Sequence, residues 1–207
     1  MISAQDALER LREGNRRFAA GVTNLDPLIM RTRRNELIGG QAPFATILGC
    51  SDSRVPVEMV FDQNMGDLFV IRVAGNIVAS SQVGSVEFAA ERFNSRLVVV
   101  LGHSRCSAVT ATLEELQRPT NSQSRNLRSI VDRIRPSVEE FLAPELKHEP
   151  EELMRHAVRA NVRASVNHLR HGSEILEQLI HNHGLLVVGA EYSLETGGVD
   201  FFDGAPG

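Results

Sequence analysis

Apolar residues along this chain follow two rhythms. Between residues 3 and 20, Ala7, Leu8, Leu11 and Phe18 recur at helical spacing, with Glu9, Arg10, Arg12, Glu13, Arg16 and Arg17 between them. That pattern predicts an amphipathic helix, closed by Gly21. A loop over 24–27 and a short helix over 31–38 lead to Gly39-Gly40. The rhythm then changes to four short, nearly continuous apolar runs at 44–50, 68–73, 97–102 and 185–190. Such runs mark strands buried on both faces. Helical patterns separate them: about 80–94, about 105–117, and a long stretch from about 126 to 182 that Pro136, Pro144 and Pro150 are expected to break. Strands alternating with helices imply an α/β fold with a mostly parallel sheet flanked by helices. The tail over 197–202 predicts a last turn and an edge strand, and the polar stretch 118–125 is the expected mobile loop. No repeat, low-complexity segment or break in composition calls for a second domain.

Composition narrows the function classes. The chain has 207 residues, 42% hydrophobic and 23% charged, with a formal net charge of −4. These proportions suit one globular domain with a substantial core. Phosphate binding relies on an excess of Lys and Arg, so nucleic acid is not the expected partner. Arg31, Arg33 and Arg34 form only a small basic cluster. No run approaches the ~20 apolar residues of a membrane span. The opening residues Met1-Ile2-Ser3-Ala4-Gln5-Asp6 lack a basic segment followed by an apolar one, so no signal peptide is read and a cytoplasmic location is expected. Thiols stay reduced there, which favours metal binding over a disulfide for the two cysteines.

Those cysteines carry the candidate chemistry. Cys50 ends the first apolar run, and His103 directly follows the third. Parallel sheets gather ligands beyond the carboxyl ends of strands, where strand order reverses, and Gly49 and Gly102 leave backbone room there. Cys106 lies three residues past His103, on the first turn of the next helix, a spacing that brings both side chains to one side. Zn²⁺ binds two thiolates at ~2.3 Å and an imidazole at ~2.0–2.1 Å, usually tetrahedrally. The fourth position falls to Asp52, which closes the site, or to water, which leaves it open for chemistry. Arg54 favours the open state, because a guanidinium two residues away can grip the Asp52 carboxylate through two parallel hydrogen bonds. Two thiolates cancel the charge of the metal, so bound water is acidified less than at three neutral imidazoles. Activity is therefore expected to rise with pH into the alkaline range. The same residues also admit a structural zinc, separately buried side chains, or a redox pair of Cys50 with Cys106.

Cys50-x-Asp52-x-Arg54 with His103-x-x-Cys106 resembles the β-class carbonic anhydrases. The segments 11–18, 51–56, 66–70 and 72–76 and the surroundings of Tyr192 fit the same pattern, so the likeness spans nearly the whole chain. The resemblance implies one zinc-dependent catalytic domain over 1–207, with one Zn²⁺ per chain and an N-terminal helical arm over 1–40 that packs on a partner subunit. It implies a homodimer or homotetramer and reversible hydration of CO₂ to bicarbonate and a proton through a zinc-bound hydroxide. By position, Gln41 matches the glutamine that orients substrate. Phe69, Ala74 and Gly75 match pocket positions, and Phe88 replaces a pocket tyrosine lent by the partner. An apolar wall suits CO₂, which has no net dipole. The chain departs from the family at Ser107, where glycine usually follows the second cysteine. It departs again at Ile47, which occupies the tryptophan position of a bicarbonate-inhibited set that Arg72 and Tyr192 otherwise match. A closed form with Asp52 on zinc is expected at low pH. The alternatives are a hydrolase of carbonyl sulfide or carbon disulfide on the same fold, and a zinc-stabilised scaffold, which would need none of Asp52, Arg54 and Gln41. Of His148, His156, His168 and His171, the sequence nominates none as a proton relay.

Overall fold

Burial of the apolar runs on both faces decides the architecture. The computed structural model describes residues 2–24, 27–119, 124–142 and 149–206, with only the backbone over 27–31. Its strands are β1 (Ala45–Gly49), β2 (Leu68–Arg72), β3 (Leu97–His103), β4 (Leu186–Tyr192) and β5 (Val199–Asp203). Every residue of β1 and β3 is buried, as expected of central strands covered on both sides. The sheet order is β2-β1-β3-β4-β5. Pairing is parallel throughout except for β5, the expected edge strand, which runs antiparallel to β4. From β1 the chain first steps outward to β2, then returns to β3 on the other side. The order therefore reverses between β1 and β3, which opens a crevice at their carboxyl ends. Gly49 pairs with both Arg72 and Leu101, so Cys50 and His103 emerge there side by side.

Helices cover both faces. Ile47, Val99 and Val188 pack with α1 (Ala4–Ala19) and α3 (Val57–Val60). Leu48, Val98 and Val187 face α4 (Ser80–Arg92), α7 (Pro150–His171) and α8 (Glu174–His183). A third cluster joins Cys50 and Cys106 to α5 (Ser107–Gln117), α6 (Arg125–Val138) and the first half of α7. Among the described residues no helix is long and apolar enough to cross a membrane.

Several expectations change. The N-terminal arm divides into α1 and α2 (Pro27–Glu36). Within its own subunit, α1 contributes one face to the core. Ser3 caps it through the Asp6 amide, Ala7, Leu8 and Leu11 are buried, and Asn15 donates to the carbonyls of Val60 and Gly197. Pro136 does not break its helix. It sits in the last turns of α6, where the carbonyl it leaves unbonded belongs to the exposed Asp132. Pro150 opens α7, as a first-turn proline can. The break after α7 comes instead at Gly172-Ser173, with the Ser173 hydroxyl accepting the Leu176 amide to start α8. Pro144 and residues 120–123 of the expected mobile loop lie outside the described residues, and Arg125 already begins α6.

The glycines before the ligands serve packing. A Cβ on Gly49 would touch Val57, and one on Gly102 would lie 2.5 Å from Val162 Cγ2 and 3.3 Å from Val158 Cγ1. Gly102 thus seats α7 on β3, where the sequence had suggested room for the metal. Gly102→Ala is expected to cost about 1–3 kcal/mol through overpacking. Thermal melts checking this should show a clearly lowered midpoint; an unchanged one would mean that α7 yields freely.

Candidate metal centre

Each candidate ligand is placed by a different local device. Cys50 is the first residue past β1, and His103 is the fully buried last residue of β3. Cys106 is the N-cap of α5 with extended backbone, not a member of its first turn. It reaches His103 because Arg105 adopts a left-handed conformation (φ 55°) that reverses the chain. Helical spacing therefore gave the right neighbour for the wrong reason. The three donor atoms all lie within 4.8 Å of one another, and the sulfurs are 4.0 Å apart.

Protons and charge are arranged for a cation. His103 Nδ1 lies 2.9 Å from the Ser104 carbonyl, a contact that requires Nδ1 to carry the proton. The lone pair is then on Nε2, which is buried and has no hydrogen-bond partner. Gly75, whose φ of 69° suits glycine, directs its N–H at Cys50 Sγ over 3.3 Å. The Cys106 thiol chiefly, with the Gly75 amide, draws the Cys50 thiol down to about 4. The same contact, with burial, pushes Cys106 up. One sulfur ionises readily and the second resists until a positive charge arrives. A partnerless buried imidazole nitrogen beside two such sulfurs fits a divalent metal that takes nitrogen and sulfur ligands.

Beside these donors sits a clamped carboxylate. Asp52 accepts from Arg54 Nε at 2.9 Å, Nη2 at 2.7 Å and the Arg54 amide at 3.0 Å. These bonds hold its carboxyl well below the usual range. Its Oδ2 lies 3.7 Å from His103 Nε2, at the edge of the donor cluster. Arg72 supports the turn by donating to the carbonyls of Cys50 and Asp52 at 2.9 and 2.5 Å. Glu195 was missed by sequence reading. It accepts from Ser104 Oγ and pairs with Arg105 Nε, each at 2.8 Å, and so ties the ligand-bearing turn to the segment after β4. No local pattern signals a partner 91 residues away.

The pocket candidates do not gather at one place. Ala74 and Gly75 lie next to Cys50 in the turn after β2. Gln41 is exposed and lies four residues before β1, beyond the opposite end of the sheet. From Ala45 to Cys50 alone the strand spans roughly 16 Å. Phe69 pairs in register with Thr46 near that same far end. Its ring lies 6.2 Å from that of the exposed Phe88 and 5.8 Å from that of Phe93, another residue the sequence reading passed over.

The carbonic anhydrase family model matches residues 45–199. The chain belongs to the carbonic anhydrases, in their β class. It is 38% identical over 191 residues to carbonic anhydrase 2 of Mycobacterium tuberculosis (strain ATCC 25618 / H37Rv), covering 92% of this chain and 89% of that protein. It is 43% identical over 132 residues to a carbonic anhydrase of Mycolicibacterium smegmatis, covering 64% and 63%. The β-carbonic anhydrase CafA of Aspergillus fumigatus superposes with a TM-score of 0.76 at 25% identity, over 98% of this chain and 91% of that one. Two departures of this β-class chain can now be placed. Ser107 is the exposed first residue of α5 and is not among the residues with positive φ, so its side chain does not crowd the helix start. Ile47 is fully buried inside the sheet, and Tyr192 packs on Phe18.

Proposed function

We propose that this carbonic anhydrase interconverts CO₂ with bicarbonate and a proton using one Zn²⁺ per chain, held by Cys50, His103 and Cys106. Supporting this above all is the convergence of those three donors beside an Asp52 whose two oxygens are both bonded to Arg54. Zinc supplies a Lewis acid that lowers the pKa of the water it binds. Every other task falls to the protein. Arg54 keeps Asp52 from taking the last coordination position. Asp52, fixed and ionised, accepts a hydrogen bond from the attacking oxygen and so aims its remaining lone pair at carbon. The amide of Gln41 holds a CO₂ oxygen, and Phe69, Phe88, Ala74 and Gly75 form an apolar wall that does not compete for it.

Gln41, Phe69 and Phe88 lie at the far end of their own sheet, so they serve the site of a second copy. The working unit is accordingly a homodimer, alone or paired into a tetramer, of a single catalytic domain spanning 1–207. The segment carrying Gln41 is a part of the arm that meets the partner. Two buried free thiols suit a compartment that keeps them reduced, which supports a cytoplasmic location.

Stopped-flow assays on the zinc-loaded protein at alkaline pH are expected to show CO₂ hydration at least about 10⁶-fold above the uncatalysed reaction. Turnover of carbonyl sulfide or carbon disulfide without CO₂ hydration would move the chain to the sulfur-analogue hydrolases. Turnover of neither would leave a scaffold.

A further inference from the structure

Asp67 is a buried carboxylate that the zinc chemistry does not use. It lies just before β2, at the end of the sheet away from Cys50. Its Oδ2 accepts from Arg10 Nη2 and from the Asn64 amide, each at 3.0 Å, and its Oδ1 accepts from Arg33 Nη2. These partners come from three segments: α1, the 61–67 loop and α2.

Their common effect falls on the stretch that carries Gln41. Upstream, Arg33 also donates to the Met65 carbonyl at 2.7 Å, and Leu37 closes on Gly66, where a Cβ would sit 2.7 Å from Leu37 Cδ1. Downstream, the Phe44 amide donates to the Asp67 carbonyl at 2.9 Å, and the Arg10 guanidinium lies 4.0 Å over the Phe44 ring. Gln41 is the exposed middle of a span whose two ends are fixed to one residue and its ligands. Phe69 follows Asp67 by two positions. An exposed glutamine on a free loop would spread over many conformers, and a displacement of 1 Å at a reacting centre can cost about a hundredfold.

We propose that Asp67 is a positioning residue, acting through Arg33 and Phe44 to set Gln41 for the active site of the second subunit. This rests on the reading that Gln41 works across the subunit boundary. Asp67 thus affects a metal centre that its own chain does not contain.

That directionality gives the test. Asp67→Asn preserves shape but turns an amide toward one guanidinium. It is expected to lower kcat/KM for CO₂ by about tenfold to a hundredfold with zinc content unchanged. Arg33→Ala, in a half-exposed side chain, is expected to do the same and covers the case in which Asp67→Asn does not fold. Each variant is then co-expressed with Asp52→Ala under two affinity tags, and the mixed oligomer is purified. Its one intact metal site receives Gln41 from the chain with the intact clamp, so about half of wild-type activity should return. A mixed oligomer of Gln41→Ala with Asp52→Ala is the control. If the control recovers activity and the Asp67 and Arg33 mixtures stay at the level of their own variants, the clamp is only structural and this inference is overturned alone. If the control does not recover, the reading of Gln41 across subunits fails and takes the inference with it. Unchanged activity in both Asp67→Asn and Arg33→Ala also overturns it.

Discussion

Cys106→Ser is expected to yield a protein that does not retain stoichiometric zinc after gel filtration and whose CO₂ hydration falls by at least about a thousandfold. Three facts make this the largest expected effect. Cys106 is buried inside the cluster that also holds Cys50, so its sulfur faces the other two donors. A serine hydroxyl at that place is a neutral, hard ligand that stays protonated at neutral pH, so the site loses one of its two negative charges as well as a soft donor. Even replacing a residue that only hydrogen-bonds to a ligand weakens metal sites about 10- to 100-fold, and removing a direct ligand goes further. Zinc bound only to the folded state also stabilises it by mass action, so added zinc should raise the melting temperature of wild type and barely move that of the variant. Inductively coupled plasma mass spectrometry gives the metal content directly. A zinc-replete Cys106→Ser protein would contradict the ligand assignment, whatever its activity.

How much of this was legible in the sequence differs by level. The four parallel strands were readable within one or two residues at each end, because burial on both faces removes polar positions from a strand and leaves an unbroken apolar run. The convergence of Cys50, His103 and Cys106 was readable because few arrangements put two thiols and an imidazole at strand ends. What escaped depends on things that periodicity does not encode. The pattern of α1 shows which face is apolar but not which surface covers it, and Leu8 and Leu11 enter the subunit's own core. The left-handed Arg105 is a non-glycine residue held there by the fold around it, including its pair with Glu195, and no local code announces it. Gln41 was identified by likeness alone. The sheet places it at the end opposite Cys50, which periodicity could not indicate. Asp67 was noted only within the segment 66–70, yet Arg10 and Arg33, distant in sequence, converge on it.

The second large effect isolates the Asp52–Arg54 pair from the metal itself. Asp52→Ala and Arg54→Met should each keep zinc while CO₂ hydration falls by about 10²–10⁴-fold, the range for a lost proton acceptor. The double variant should be no worse than either single one, because the two residues form one device: Arg54 acts only by holding Asp52, and Asp52 works only when held. Titration separates their roles. Arg54 keeps the Asp52 carboxyl below the usual carboxylate range, so the paired state contributes stability above that range and loses it as pH falls through the lowered value. In Arg54→Met the carboxyl returns toward about 4. The difference in melting temperature between wild type and this variant should therefore hold steady above about pH 5 and shrink in more acid solution, and it should be small, because Arg54 is half exposed. Activity behaves otherwise. The clamped carboxylate already sits 3.7 Å from His103 Nε2, so once released it is close enough to swing onto a bound metal. X-ray absorption on zinc-loaded Arg54→Met at neutral pH should accordingly report a carboxylate oxygen in place of solvent, and the same measurement on Asp52→Ala should not. If neither spectrum differs from wild type while both variants have lost activity, then Arg54 is not the restraint that leaves the last coordination position to solvent.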